Sequence, residues 1–330
     1  MSKFALTALI VALLPIMNAG AATKSAASPV NAYISLEELR AKYGDVQSKY
    51  TTIGGIDVHY KDEGSGPAIL MVHGSSSTLK TYDIETAILS SHYRVIRYDI
   101  PPQGLSGPIT DEVLKHVQST DIPAGLLQQL GIKNATCVGV SSGGTMCIYL
   151  AARHPELVGR LILSNSPSDP VEGARPKNSK AFQDESKKER QTGFKSRAYW
   201  DAMLENFSGE PERISSYVRE QYYDVNRRPP DKNILALDAI VADHAAALDL
   251  MRKVKVPTLL VWGARDPLLT PPSMDVLAGY LKNAAVSKLL LPDVGHYPPL
   301  EIPARYAQIV ATFIEAVTPV QPKSPDPKDR

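Results

Sequence analysis

The 330-residue chain carries 36 Lys and Arg against 35 Asp and Glu, a formal charge of +1, and has two cysteines. This near-neutral balance, with no basic stretch interleaved with aromatics, excludes the electrostatic footprint of a nucleic-acid binder and points to a small-molecule partner. The histidines at 59, 92, 116, 154 and 244 have no Cys, Asp or Glu at metal-ligand spacing, so surface or core roles are expected for them and no metal is implied.

Lys3, an apolar run over residues 4–17, and Asn18-Ala19-Gly20-Ala21-Ala22 form the charged, apolar and small-residue regions of a secretory signal peptide. The run is too short for a spanning helix, which needs roughly 20 residues. Residues 1–21 therefore predict export, to the periplasm or the medium, of a mature protein with no membrane span. Residues 22–50 read as an extension with one short helix, begun by Ser35 and Glu38 at capping-box spacing and running to about Tyr43.

A hairpin is expected over residues 50–53 and 56–60, turning at Gly54-Gly55. Residues 68–72 are apolar without alternation, which suits a parallel strand buried on both faces, and they end at His73-Gly74-Ser75. Residues 93–100 form another strand, leaving through a loop from Asp99 to Ser106. Helical segments follow within 111–130, interrupted near Pro123, and a further strand is expected at 160–163.

Between residues 169 and 253 the strand rhythm stops. Residues 177–195 are polar and charged, and helical patterns follow at 197–207, 212–225 and 232–252. Phe182, Phe194, Tyr199, Trp200, Phe207, Tyr217, Tyr222 and Tyr223 fall in this segment. Core packing is the expected role of most of them, although as a set they could wall an apolar pocket. The segment reads as a helical cap inserted between two parts of a core, residues 51–168 and 254–317. The second part has strands at 258–262 and 288–291 and helices at 272–281 and 305–317. Residues 318–330, rich in proline and charge, are expected to be disordered. The strand–helix order predicts an α/β protein with a mostly parallel sheet, helices on both faces, and a site at the carboxyl ends of the strands.

The centre of the chain is Gly139-Val140-Ser141-Ser142-Gly143, where a β-branched strand turns abruptly into a helix. Small residues two before and two after Ser141 allow the sharp turn that lifts its hydroxyl clear of the sheet. Cys137 and Cys147 flank the turn, one on the strand and one on the helix. They are expected to remain buried thiols, because mid-strand and mid-helix Cα atoms usually lie beyond the ~7 Å reach of a disulfide.

Three strand ends offer Ser141, Asp266 and His296. Imidazole, with an ordinary pKa near ~6.5, accepts a serine proton at physiological pH, and a carboxylate behind it fixes the tautomer. Together with His73-Gly74, the Asp99–Ser106 loop, the Gly263–Asp266 turn and Gly295-His296, these residues resemble the α/β-hydrolase family from about residue 51 to 317. The resemblance implies Ser141 as nucleophile, His296 as general base and then acid, and Asp266 as its orienter. It also implies an oxyanion hole of the Ser75 and Ser142 backbone N–H groups, which Gly74 lets approach. Each such donor is worth ~3 kcal/mol in rate.

Four positions bear on the branch. Pro102 and Gln103 stand where relatives commonly carry Gly and an aromatic residue or His. Ser141 argues against the dehalogenases and epoxide hydrolases that use aspartate there. Tyr297 follows His296 where carbon–carbon bond hydrolases tend to have tryptophan. Asp169 is an alternative acid to Asp266, and His244 is the further histidine placed to reach substrate. The expectation is an exported serine hydrolase that cleaves a small carboxylic ester or lactone with no cofactor. The alternatives are a ligand-binding protein with little turnover, a perhydrolase, or a carbon–carbon bond hydrolase using the same three residues.

Overall fold

Ile69, Leu70, Met71 and Val72 point to alternate sides of one strand, and none is exposed. Both faces of the sheet must therefore be covered. The computed structural model describes residues 33–170 and 177–318; the expected signal peptide, the part of the N-terminal extension before Tyr33 and the tail beyond Thr318 lie outside them. Eight strands make one sheet: β1 (Lys49–Ile53), β2 (Ile56–Glu63), β3 (Ala68–Val72), β4 (Arg94–Tyr98), β5 (Ala135–Val140), β6 (Val158–Ser164), β7 (Thr258–Gly263) and β8 (Val286–Leu291). Their order is β1-β2-β4-β3-β5-β6-β7-β8, antiparallel at β1/β2 and β2/β4 and parallel elsewhere. The parallel part follows from the α/β alternation read in the sequence.

The helices are α1 (Leu36–Tyr43), α2 (Asp83–Leu89), α3 (Asp111–Leu114), α4 (Asp121–Gln129), α5 (Ser142–Arg153), α6 (Lys180–Thr192), α7 (Arg197–Phe207), α8 (Ser216–Val225), α9 (His244–Met251), α10 (Pro271–Tyr280), α11 (Pro298–Glu301) and α12 (Pro303–Val317). On one face Leu70, Val72, Ile96, Leu161 and Trp262 meet side chains of α4, α5, α9 and α10. On the other, Ile69, Met71, Val95, Val138 and Ile162 meet Leu89 of α2 and Tyr306, Val310 and Phe313 of α12. Between β6 and β7, helices α6 to α8 carry a separate apolar cluster of Phe182, Tyr199, Trp200, Leu204, Phe207 and Tyr222. Helix α1 begins at the Ser35/Glu38 capping box. It docks on this helical segment through Leu39 and Tyr43 against Val225, and Lys42 and Tyr43 both bond the Asp224 carboxylate.

Several local expectations change. The polar stretch 177–195 contains a helix, α6, capped by Ser179 and closed by Gly193 in a left-handed conformation. Only Phe182 of it is buried; the Lys180–Asp184 and Lys188–Glu185 pairs suit a solvated helix with almost no apolar stripe. Helix α9 covers only the end of the expected 232–252, because the preceding residues turn where the Asp231 carboxylate accepts the Asn233 N–H, and Asp243 caps the helix. Pro123 does not interrupt a helix. It lies in the first turn of α4, where no N–H is needed.

The expectation of free thiols is overturned: Cys137 and Cys147 form a disulfide, with Cα atoms 5.7 Å apart. A Cβ on Gly139 would lie 2.4 Å from the Gly143 carbonyl oxygen, so β5 and α5 leave the turn in backbone contact and stay close enough to be bridged. Closing so short a loop contributes about 3 kcal/mol by loop entropy.

Glu85 of α2 is fully buried, and neither carboxyl oxygen has a hydrogen-bond partner among the described residues. Burial pushes its pKa well above the usual carboxylate range. A group raised in this way supports the fold below its unfolded pKa and loses that contribution as pH rises through the folded value. Glu85→Gln is therefore expected to gain at least about 1–3 kcal/mol over the wild type at pH 8 and little at pH 4.5, since burying an ionised group without a hydrogen bond costs no less than burying a neutral one. Urea unfolding at both pH values checks this, and a difference that does not grow with pH would refute it.

Candidate active site

Parallel strands present their carboxyl ends to one edge, and the candidate residues come from the turns there. At the end of β5 Ser141 has φ 55° and ψ −129°, a conformation that L residues avoid. The surroundings hold it in place. A Cβ on Gly143 would lie 2.2 Å from the Val72 carbonyl oxygen, and one on Gly144 would overlap the Ser166 hydroxyl. Ser141 and His296 line the same cleft, together with Gly74, Ser75, Val140, Tyr222, Tyr297 and Pro299.

His296 is buried, and its Nδ1 lies 2.6 Å from Asp266 Oδ2. The carboxylate can only accept, so the Nδ1 proton is directed to it and Nε2 is left to take a proton. Asp266 is held by four donors: His296, the Asn165 amide at 2.7 Å, and the Leu268 and Leu269 N–H groups at 2.8 and 3.1 Å. Asn165 ends β6 with φ 40° and also accepts the Gly263 N–H, tying the ends of β6 and β7 together. The sequence reading missed it; its only signal was a polar residue directly after a buried strand.

The backbone of the His296 loop is fixed from the helical segment. The His296 N–H donates to the Phe207 carbonyl, and Glu301 accepts the N–H groups of Gly209, Glu210 and Gly295. Burial raises the Glu301 pKa in spite of these bonds.

Among the described residues, the Ser75 and Ser142 N–H groups donate to no protein acceptor, and each belongs to a residue beside the cleft. Buried His73 braces their loop: Nδ1 lies 2.7 Å from the Gly74 carbonyl oxygen and Nε2 accepts the Ile100 N–H. Burial lowers its pKa, which suits the neutral tautomer that these two bonds require. Asp238 is a second residue that the sequence reading missed. It is buried and bonds Ser75 and Gln103, and burial pushes its pKa up to about 6 against those bonds.

The other candidates fall elsewhere. Asp169 pairs with His244 and Tyr280, so neither Asp169 nor His244 joins the His296 cluster. His59 is a core residue whose Nδ1 lies 2.7 Å from Asp99 and whose Nε2 lies 3.0 Å from Ser48. This second serine–histidine–carboxylate chain braces a loop, since Asp99 also takes the Leu79 and Leu105 N–H groups and Ser48 accepts the Asp45 N–H. Of the eight aromatics in the inserted segment, Tyr222 reaches the cleft lining; Phe182, Tyr199, Trp200 and Phe207 belong to the neighbouring cluster. No group of three or more potential metal ligands occurs among the described residues.

A strained serine beside a histidine–aspartate pair, on a mostly parallel sheet, defines a class of hydrolase. A family model described as the alpha/beta hydrolase fold matches residues 67–303, and the chain belongs to that family. It is 27% identical over 304 residues to a 2-hydroxy-6-oxononadienedioate/2-hydroxy-6-oxononatrienedioate hydrolase of Burkholderia vietnamiensis, covering 85% of this chain and 98% of that protein. To Lipase 3 of a Moraxella species it is 22% identical over 306 residues, covering 88% and 92%. The solved enol-lactonase of Burkholderia xenovorans superposes with a TM-score of 0.63 at 26% identity, covering 81% of this chain and all of that one.

Proposed function

We propose that this hydrolase cleaves a small, uncharged carboxylic ester or lactone through an acyl-enzyme on Ser141. The observation that carries the reading is one cleft lined by the strained serine and the histidine held by Asp266, next to the Ser75 and Ser142 N–H groups, which have no protein acceptor among the described residues. His296 removes the Ser141 proton as the oxygen attacks the carbonyl, and the N–H groups of Ser75 and Ser142 receive the oxyanion. The same imidazole passes its proton to the leaving alcohol, then activates water to release the acid.

The lining supports a neutral substrate. Among the described residues it contains no Lys or Arg to pair with a carboxylate, and the cavity, about 50 Å³, suits a short acyl group. A dienedioate, such as the Burkholderia vietnamiensis relative is named for, carries two carboxylates that this lining does not match. Export remains part of the proposal: a disulfide persists in an oxidising compartment. An intact Met1 on cell-associated protein from the native host would overturn that part.

Labelling with a fluorophosphonate and peptide mapping, alongside short aryl esters, a lactone and a dienedioate, tests the chemistry. The expected result is label on Ser141 and none on Ser48, with turnover of the uncharged substrates. Folded protein with neither label nor turnover would favour a ligand-binding role. Preference for the dienedioate would favour carbon–carbon bond cleavage.

A further inference from the structure

Ser75 and Ser142, whose N–H groups have no protein acceptor among the described residues, are also joined through their side chains. The Ser75 and Ser142 hydroxyl oxygens are 3.0 Å apart, and the Ser75 hydroxyl lies 2.6 Å from Asp238 Oδ2. The Ser75 hydroxyl is placed to donate to either neighbour, and because a carboxylate only accepts, the shorter contact directs its proton to Asp238. The other carboxyl oxygen accepts the Gln103 amide at 2.8 Å, and Gln103 in turn accepts the Ser76 N–H at 2.7 Å.

The loop that these bonds hold is a strained one. Ser76 has φ 60°, and its carbonyl is gripped from α8 by the Asn226 amide at 2.9 Å. Such a conformation persists only where its surroundings over-determine it. Asp238 provides part of that constraint from the segment between α8 and α9, 163 residues away from Ser75 in the chain. Gln103 is the side chain that links this carboxylate to the Ser76 backbone.

We propose that Asp238, acting through Ser75 and Gln103, is the positioning residue of the oxyanion hole, setting the direction of the Ser75 N–H relative to that of Ser142. The inference rests on the acyl-enzyme reading of Ser141. Displacing a donor by a fraction of an ångström weakens transition-state binding more than substrate binding, so the effect belongs in kcat. Asp238→Ala is expected to lower kcat for a short ester by about 10- to 100-fold with KM changed less than about threefold. Asp238→Asn, which fills the same volume, lowers kcat less: its carbonyl oxygen still accepts from Ser75, but its amide opposes that of Gln103.

The double variant Asp238→Asn with Gln103→Glu exchanges donor and acceptor. The amide introduced at position 238 would donate to the carboxylate introduced at position 103, whose other oxygen takes the Ser76 N–H. Recovery of kcat to within about threefold of wild type is expected from this swap, since it restores every bond in the chain. If Asp238→Ala does not fold, Asp238→Asn and the swap carry the test. A kcat within twofold of wild type in a folded single variant would overturn the proposal, as would a folded double variant no faster than Asp238→Asn. Wild-type labelling and turnover are measured alongside. An active wild type with indifferent variants removes this inference alone, whereas an inert wild type removes the acyl-enzyme reading and this inference together.

Discussion

Ser141→Ala is expected to lower kcat by about 10⁵-fold or more with little change in KM, and adding His296→Ala to it should cost almost nothing further. In the proposed mechanism the two residues act as one unit: without the nucleophile there is no proton for the base to take, so their losses do not add. What survives is the rate that the oxyanion donors supply to attack by water. Asp266→Asn should cost about 10⁴-fold, because the asparagine amide opposes the Nδ1–H of His296 and cannot also accept from Asn165. Ester hydrolysis by the single and double variants, with folding checked by thermal melts, measures this. Additive losses, or a Ser141→Ala rate within tenfold of wild type, would remove Ser141 from the role of nucleophile.

Gly143→Ala is expected to be strongly destabilising for a change of a single methyl group. Its Cβ would meet the carbonyl oxygens of Val72 and His73 at 2.2 and 2.4 Å, and both belong to backbone at the end of a buried strand. Neither neighbour can rotate away, so α5 must lift from β3, at a cost of about 3 kcal/mol or more. The same shift moves the Gly74-Ser75 loop, so activity per folded molecule falls as well. Gly279→Ala in α10 is the control: nothing lies within 4 Å of its added Cβ, and helix propensity predicts a change of at most about 1 kcal/mol, in the stabilising direction. Equal melting temperatures for the two variants would refute this account of the turn.

The parts legible in advance are those that short stretches of chain dictate. Ala68–Val72 reads as a doubly buried strand because it has no polar side to offer water. Ser35 and Glu38 announce α1 because a cap is a local hydrogen-bond pattern. Gly139-Val140-Ser141-Ser142-Gly143 announces its turn because only small residues let a strand and a helix meet at that angle. Helix α6 escaped the same reading because its face is almost wholly solvated, and a helix held by ion pairs and one buried Phe182 has no apolar period to detect.

Local patterns in the chain were thus enough for the parallel sheet, the succession of strands and helices, and the three residue types able to carry acyl transfer. The distant partners that hold those residues emerge with the folded chain: Asn165 on Asp266, the Phe207 carbonyl on His296, and Asp238 on Ser75, joined across about 100, 90 and 160 residues. So does the Cys137–Cys147 bond, which depends on how closely β5 and α5 pack and not on the nine residues between them. Periodicity and turn chemistry act through neighbours in the chain, whereas a buried carboxylate takes whichever donor the completed fold brings within about 3 Å.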